Sequence, residues 1–192
     1  MKIILASASP RRAEILRNAG IACEVRPVVF DETRHPGELR ADYVRRLALG
    51  KARAAASQYG GPGESLLVGA DTIVVAGDEI LGKPESAAEA RRMLRLLSGA
   101  EHEVHTGVAI VRRPSSAEGV IDETTRVTFA SLSGDDIDRY IASGEPLDKA
   151  GAYAIQGIAG RYITRIDGCY FNVVGLPLAR LWSLLGQFGY KG

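Results

Sequence analysis

LASASPRRAEIL, residues 5–16, is the segment from which we interpret the rest of the chain. Residues 2–6 form a short apolar run that predicts a buried strand, and residues 10–20 predict the helix that follows it. Ser9 stands where an N-cap belongs, and Pro10 suits the first helical position. The strand therefore leads directly into the N-terminus of a helix.

The start of this helix has the features of a phosphate site. Backbone N–H groups without helical partners and the positive end of the helix dipole meet there. The polar side chains around it are Ser7, Ser9, Arg11 and Arg12. Two arginines in a first turn are unfavourable with the dipole unless an anion offsets them. The alternative is that Ser9 only caps the helix and that both arginines are solvated. The chain has neither a GxxxxGK motif nor a GxGxxG motif after a strand. A phosphate site at this helix would therefore belong to a fold other than the P-loop and dinucleotide-binding folds.

Composition favours a soluble globular protein with one domain spanning residues 1–192. The chain is 46% hydrophobic and 24% charged, which is ordinary for that class, and its length allows one domain divided into two lobes. The net charge of +1 indicates neither nucleic-acid polymer nor membrane as a partner. With no signal-peptide pattern and no apolar run near the ~18 residues of a membrane span, we expect a cytoplasmic protein.

Cysteines and histidines indicate no metal centre of the zinc type. Cys23 and Cys169 are far apart in sequence, which predicts two reduced and buried thiols, although sequence leaves a disulfide open. His102 and His105 have helical spacing but lie in a run typical of a strand. We therefore interpret them as strand or surface histidines.

Hydrophobic periodicity predicts alternating strands and helices along the rest of the chain. The predicted elements are a strand over 21–29, a helix from 38 or 41 to 59, a GGPGE loop over 60–64, a strand, turn and returning strand over 65–81, a helix over 87–97 capped by Ser86, strands over 101–112 and 120–132, a helix capped by Ser133 that ends at 144, a strand over 163–166 and a final helix after Pro177.

Asp71 is the strongest single candidate for chemistry. It interrupts an apolar run of strand character between Val68 and Val74, with Thr72 beside it. Burying a carboxylate there costs several kcal/mol unless it is paired, hydrogen-bonded or bound to a metal.

Other charged residues have both an ordinary and a functional interpretation. Lys51 falls on the apolar side of its helix, where it either passes the edge of the core or reaches a cleft and meets an anion. Lys83, in a GKPE loop, is solvated by default, but together with Lys51 it could supply a second positive charge to a polyphosphate. Asp31 and Glu32 lie on a loop and become relevant only if a metal needs oxygen ligands there.

The segment EPLDKAGAYAIQG, residues 145–157, is either a structural loop or part of a site. Gln156 offers both a donor and an acceptor, which suits the imide edge of uracil or thymine.

The chain resembles the Maf-type nucleoside triphosphate pyrophosphatases in blocks that occur in order over nearly its whole length. These blocks are SASPRRAEIL (7–16), GADTIV (69–74), GKP (82–84), HTGV (105–108), GEPLDKAGAYAIQG (144–157) and NVVGLPL (172–178). The resemblance implies an α/β fold of the inosine triphosphatase type, with a strongly twisted mixed sheet, surrounding helices and two lobes around a central cleft. It also implies a cytoplasmic, usually homodimeric enzyme that hydrolyses a nucleoside triphosphate to the monophosphate and pyrophosphate with a divalent metal cation, Mg²⁺ or Mn²⁺.

The resemblance also implies roles for individual residues. Asp71 matches the general base of the family. From the chemistry of their carboxylates, we expect Glu32 with Asp71 to hold the metal. Positions that match residues associated with base choice are Arg11, Thr72 and Gln156. Positions that match polar residues around the phosphates and the metal are Ser7, Arg12, Glu32, Lys51 and Lys83. From the helix N-terminus itself, we expect the backbone N–H groups after Ser9 to hold phosphate as well.

The AIQG ending of the fifth block resembles the branch that acts on dTTP and UTP, and modified pyrimidine nucleotides are also candidates. The branch that acts on 7-methyl-GTP typically has a Ser-Glu pair where this chain has Ile155 and Gln156. Two alternatives stay open. One is a nucleotide-binding regulator of cell division without significant turnover, and the other is a pyrophosphatase for 7-methyl-GTP.

Overall fold

The computed structural model describes residues 1–59 and 63–192. Residues 60–62, part of the predicted GGPGE loop, lie outside the described residues. The strands of the described ranges are β1 (Lys2–Ala6), β2 (Glu24–Val25), β3 (Ser65–Ala76), β4 (Glu79–Leu81), β5 (Glu101–Arg113), β6 (Glu118–Phe129) and β7 (Ile163–Asp167). The α-helices are α1 (Pro10–Asn18), α2 (Arg40–Tyr59), α3 (Ala87–Leu97), α4 (Gly134–Ala142), α5 (Tyr170–Val174) and α6 (Leu178–Gln187). Short 3₁₀ helices at Glu145–Asp148, Ala150–Ala152 and Ile158–Tyr162 lie between α4 and β7.

The strands form a mixed sheet in the order β2-β1-β3-β5-β6-β7, and β4 pairs with β3. β1 runs parallel to both β2 and β3, whereas β4 is antiparallel to β3 and β7 is antiparallel to β6. β1 and β3 are buried along almost their whole lengths, as their continuous apolar runs predict. The predicted α/β class, with a mixed sheet and flanking helices, is confirmed.

The chain forms two compact units. The first unit consists of Met1–Asp71, Thr106–Glu123 and Gly175–Gly192, and the second consists of Thr72–His105 and Thr124–Val174.

Small residues bring helix α2 close to the sheet in the first unit. Ala48 and Ala52 of α2 are fully buried. A Cβ atom added at Gly69 of β3 would lie 2.1 Å from the carbonyl oxygen of Ala48, and one added at Gly107 of β5 would lie 2.2 Å from that of Val44. No larger residue fits at either position without moving the helix. This close approach places the middle of α2 beside the part of β3 that follows Gly69.

The second unit has its own apolar core around helices α3 and α4. Met93 and Leu97 of α3 pack in one cluster with Ile137 and Tyr140 of α4 and Phe129 of β6. All of these side chains are at most 3% exposed. The buried faces of the two predicted helices therefore share one core.

All three predicted N-cap residues occupy the N-cap position, but only two of them cap the helix with their side chains. The side chain of Ser86 accepts a hydrogen bond from a first-turn N–H of α3 at 3.2 Å, and Ser133 forms a capping box in α4. Ser9 occupies the N-cap position of α1, but its side chain makes no capping hydrogen bond. Its N–H instead donates to Oγ of Ser7 at 3.2 Å. The preceding serine therefore shapes the turn before α1.

The strand predicted over 21–29 is wrong in length, because β2 has only two residues. The N–H of Arg26 still donates to the carbonyl oxygen of Leu5 at 2.9 Å. Pro27 follows and has no N–H to donate, so the ladder ends there. Val29, expected within the strand, is 96% exposed. Helix α5 and the 3₁₀ helices were not predicted, because three to five residues are too few to show a helical period.

Both cysteines are free thiols, as predicted, but they are half-buried rather than buried. Cys23 directly precedes β2 at the edge of the sheet, and Cys169 lies between β7 and α5. Neither position is covered on all sides by the core.

His102 and His105 lie in β5, as the strand interpretation predicts, and are 2% and 8% exposed.

Helix α2, with 20 residues, is long enough to cross a bilayer. Charged side chains interrupt its sequence throughout. Among the helices within 1–59 and 63–192, none combines the length and the apolar character needed to cross a membrane.

Candidate active site

A buried lysine–aspartate pair marks the candidate site. Nζ of Lys51, on α2, lies 2.5 Å from Oδ1 of Asp71, on β3. Each of the two side chains is only 12% exposed. The close approach of α2 to β3 at Gly69 brings them together. The lysine that the helical period places on the inner face therefore meets the carboxylate that interrupts the apolar strand.

Glu32 shares the same lysine. Its Oε1 atom lies 2.5 Å from Nζ of Lys51, and its side chain is 59% exposed in the loop between β2 and α2. One ammonium group thus bridges a buried and an exposed carboxylate. The two acids that the sequence places near a metal, Glu32 and Asp71, are brought together. Lys51, which the sequence places at the phosphates, has both of them as partners here.

Arg12 joins α1 to the strand that carries the aspartate. Its Nη1 donates to Oγ of Ser7 at 3.0 Å and to the carbonyl oxygen of Ala70 at 2.9 Å, and its Nε donates to the carbonyl oxygen of Gly175 at 2.7 Å. Arg12 is 9% exposed and Ser7 is 6% exposed. Ala70 directly precedes Asp71, so these hydrogen bonds hold the backbone at the aspartate. The sequence places Arg12 and Ser7 at the phosphates, and their contacts in this structure support the strand.

Burial dominates the electrostatics of this group. Burial raises the pKa of Asp71 above its ordinary value, and the positive charges of Lys51 and Arg12 oppose that rise. Burial lowers the pKa of Arg12 from its ordinary value, and the charge of Asp71 opposes that fall. A carboxyl group with a raised pKa is a stronger base than an exposed one, and its pKa is closer to neutral pH.

Two residues of α2, neither of them predicted from the sequence, hold the loop that carries Glu32. The hydroxyl group of Tyr43 donates to the carbonyl oxygen of Glu32 at 2.6 Å. Arg46 donates to the carbonyl oxygen of Thr33 at 3.0 Å and to both carboxylate oxygens of Glu38, at 2.6 and 2.9 Å. Burial, and then the nearby carboxylates, raises the pKa of Tyr43. The only signal in the sequence was their position on the helix that carries the inward-facing lysine.

The start of α1 keeps the character that the sequence predicts for an anion site. No acidic residue lies in its first turn, and the side chain of Ser9 does not cap it. Arg11, in that turn, is half-buried. This end of the helix is therefore electropositive.

Other predicted site residues belong to the second unit. Thr72 follows Asp71 in β3 and is half-buried. Lys83 is exposed between β4 and α3, and Gln156 is exposed in a turn between two 3₁₀ helices. The contacts described above join predicted residues of the first unit only.

Glu32 and Asp71 are the residues of this group that could hold a hard divalent cation. Carboxylate oxygens are suitable ligands for Mg²⁺, which commonly takes one or two of them and completes its shell with phosphate oxygens and water. No group of three or more His, Cys, Asp or Glu residues that could hold an ion is found in the described part of the chain. The two carboxylates that could hold such an ion lie on either side of the Lys51 ammonium group, each 2.5 Å from it.

Comparison with known proteins shows similarity along nearly the whole chain. Residues 2–188 match the family model described as Maf-like protein. A dTTP/UTP pyrophosphatase of Moorella thermoacetica is 50% identical over 188 residues, which cover 98% of this chain and 95% of that protein. A dTTP/UTP pyrophosphatase of Anaeromyxobacter dehalogenans strain 2CP-C is 53% identical over 192 residues, with the same coverage of both chains.

Among solved structures, a nucleoside-triphosphatase / dITP/XTP pyrophosphatase from Mycobacterium abscessus shows a likeness with a TM-score of 0.42 and 19% identity. It covers 69% of this chain and 76% of the other. The family model and the curated relatives agree along the sequence from the first strand to the last helix. The chain therefore belongs to the Maf family.

Proposed function

We propose that this chain hydrolyses dTTP and UTP to the nucleoside monophosphate and pyrophosphate. Relatives that are about 50% identical over nearly their whole lengths are named dTTP/UTP pyrophosphatase. The structural observation that carries the proposal is the buried carboxylate of Asp71, held 2.5 Å from Lys51, whose ammonium group also contacts Glu32. Such an arrangement supplies a base, a cation and a second carboxylate within one small group of side chains.

In the proposed reaction Asp71 is the general base. Its carboxylate takes a proton from a water molecule, and the oxygen of that water forms a bond to the α-phosphorus of the nucleotide. The bond from that phosphorus to the α–β bridging oxygen breaks, and pyrophosphate leaves. Burial raises the pKa of Asp71 and so strengthens it as a base, while Lys51 favours its ionised form.

Positive groups hold the triphosphate in this proposal. Lys51 has three N–H donors, so its two carboxylate partners leave one for a phosphate oxygen. The first-turn N–H groups of α1 after Ser9, together with Arg11, attract phosphate through the helix dipole and charge. The remaining phosphate contacts are assigned to Ser7, Arg12 and Lys83.

Glu32 and Asp71 would hold the divalent cation, Mg²⁺ or Mn²⁺. When bound, such an ion polarises a phosphoryl oxygen and offsets negative charge that develops on the phosphates. Tyr43 keeps Glu32 in place through its backbone carbonyl.

Gln156, with Thr72 and Arg11, selects the base in this proposal. The amide of Gln156 donates to one oxygen of a uracil or thymine and accepts from its ring N–H. We also propose that the protein acts as a cytoplasmic homodimer and as one functional domain over residues 1–192, as the family resemblance implies.

The test is pyrophosphate release from dTTP, UTP, CTP, ATP, GTP and 7-methyl-GTP, each measured with Mg²⁺ and with a chelator. We expect release from dTTP and UTP above the others and its loss with the chelator. Nucleotide binding without pyrophosphate release would favour a regulator, and a preference for 7-methyl-GTP would favour the other branch. Either result would contradict the proposal.

A further inference from the structure

The turn that carries Gln156 is held at both ends by one pair of side chains. The hydroxyl oxygen of Tyr140 accepts a hydrogen bond from the N–H of Ala154 at 3.3 Å. Oε2 of Glu145 accepts one from the N–H of Ile158 at 3.0 Å. These two N–H groups lie two residues before and two residues after Gln156. The backbone of the turn is therefore fixed on both sides, while the glutamine itself is exposed.

The two anchoring side chains also bind each other. The hydroxyl of Tyr140 donates to Oε1 of Glu145 at 2.8 Å. Tyr140 is 1% exposed in the core of the second unit, and its ring packs edge-on against that of Tyr162, with 6.2 Å between centroids. Burial and the bond to Glu145 raise the pKa of Tyr140, so its hydroxyl stays protonated and available as a donor. The anchor is therefore continuous with the packed core.

Gly157 lets the turn and the carboxylate come together. A Cβ atom added to Gly157 would lie 2.3 Å from Oε2 of Glu145 and 2.4 Å from its Oε1. The backbone φ of Gly157 is −104°, outside the left-handed region. The carboxylate of Glu145 thus takes the space that a side chain at this position would need.

We propose that Glu145 and Tyr140 are positioning residues for nucleobase selection. They fix the backbone around Gln156, so that its amide meets the base at one place relative to the second unit. This inference rests on the proposed function, in which Gln156 reads the base. Both oxygens of Glu145 are engaged by this arrangement, one by the turn and one by Tyr140.

The test compares Glu145→Ala and Tyr140→Phe with the wild-type protein. The ratio of kcat/KM for UTP to kcat/KM for CTP reports base selection between two rings of equal size. The inhibition constant of inorganic tripolyphosphate, which has no base, reports the phosphate site. Loss of one or two hydrogen bonds that hold the reading group is expected to lower the UTP/CTP ratio about tenfold, with the inhibition constant unchanged.

A matched control is Glu79→Ala, which removes a surface carboxylate of the same unit that pairs with Arg92 at 2.6 Å. We expect it to keep the wild-type ratio. Equal falls of the UTP/CTP ratio in Glu79→Ala and Glu145→Ala would overturn the inference, because the effect would then not depend on the turn.

A double-mutant cycle separates positioning from a general structural role. If Glu145 acts through Gln156, then Glu145→Ala in a Gln156→Ala background lowers the ratio no further. If the two losses are additive, Glu145 acts by another route and the inference is wrong.

Gly157→Ala tests the same contact from the other side, and it serves if Glu145→Ala does not fold. Its new methyl group displaces the Glu145 carboxylate, so the ratio should fall as in Glu145→Ala. Gly134→Ala is its control, because a Cβ atom there meets nothing within 4 Å. An unchanged ratio in Gly157→Ala would overturn the inference.

Different results contradict the proposed function and the positioning role. A wild-type protein that releases no pyrophosphate from any triphosphate contradicts the proposed function. A wild-type protein that prefers UTP, with anchor variants that keep that preference, contradicts only the positioning role.

Discussion

Replacing Lys51 with methionine removes the ammonium group that pairs with Asp71 and keeps a side chain of similar length. The carboxylate that remains is only 12% exposed and loses a partner at 2.5 Å. Removing one partner of a buried ion pair typically costs about 3–5 kcal/mol. Since this pair keeps some contact with solvent, we expect the low end, a loss of about 3 kcal/mol in the free energy of unfolding at pH 7.

Urea denaturation measures this loss, which is a large part of the ~5–15 kcal/mol that holds a typical domain folded. Without Lys51 the pKa of Asp71 rises further above its value of ~3.9 in the unfolded chain. The folded variant then pays an increasing cost to ionise Asp71 as the pH rises. The loss should therefore be small near pH 4 and larger at pH 7. Asp71→Asn, added to Lys51→Met, removes the unpaired charge and should restore most of the stability.

Arg53→Met is a matched control on the same helix. Arg53 pairs with Glu118 at 2.7 Å, but the two side chains are 59% and 32% exposed. Pairs of this kind contribute about 0–1 kcal/mol. A Lys51→Met loss no larger than that of Arg53→Met would show that the ion pair of Lys51 with Asp71 does not stabilise the fold. So would a double variant of Lys51 and Asp71 that is as unstable as Lys51→Met alone.

Two further predictions follow from buried groups. Burial lowers the pKa of His102 to about 4, below its ordinary ~6.5 in the unfolded chain, so the wild-type protein should lose about 2–3 kcal/mol of stability as the pH falls from 7 to 4.5. His102→Phe should lack that part of the loss. If the urea midpoint falls equally in both proteins between pH 7 and pH 4.5, His102 does not cause the loss. Tyr43→Phe removes the hydrogen bond to the backbone of Glu32, so the Mg²⁺ concentration for half-maximal pyrophosphate release should rise about fivefold. An unchanged Mg²⁺ requirement would mean that Tyr43 does not position Glu32.

The parts of the site that depend on local pattern could be predicted from the sequence. Asp71 stands out because a charge within an apolar strand needs a partner. Lys51 stands out because its charge falls on the buried face of a helix. In the structure these two side chains form an ion pair with each other. The strand that leads into α1 is likewise a local pattern, and it is confirmed.

The parts that depend on distant partners could not be predicted. Arg12 donates to the carbonyl oxygen of Gly175, 163 positions away, and no motif around Arg12 shows where that oxygen will lie. Ser9 occupies the N-cap position as predicted, but the sequence did not show that its N–H would donate to Oγ of Ser7 and that its side chain would make no capping hydrogen bond. Tyr43 was missed because its ring fits the core pattern, and a pattern of apolar residues does not show the partner of a hydroxyl group.

The catalytic role of Asp71 is tested most directly by single-turnover pyrophosphate release from UTP and dTTP by Asp71→Asn, with nucleotide binding measured on the same protein. Asp135→Asn, in the first turn of α4, is the control and should behave as wild type. If Asp71 is the general base, the rate falls by about 10²–10⁴ while nucleotide binding changes little. Release by Asp71→Asn at nearly the wild-type rate would contradict this account.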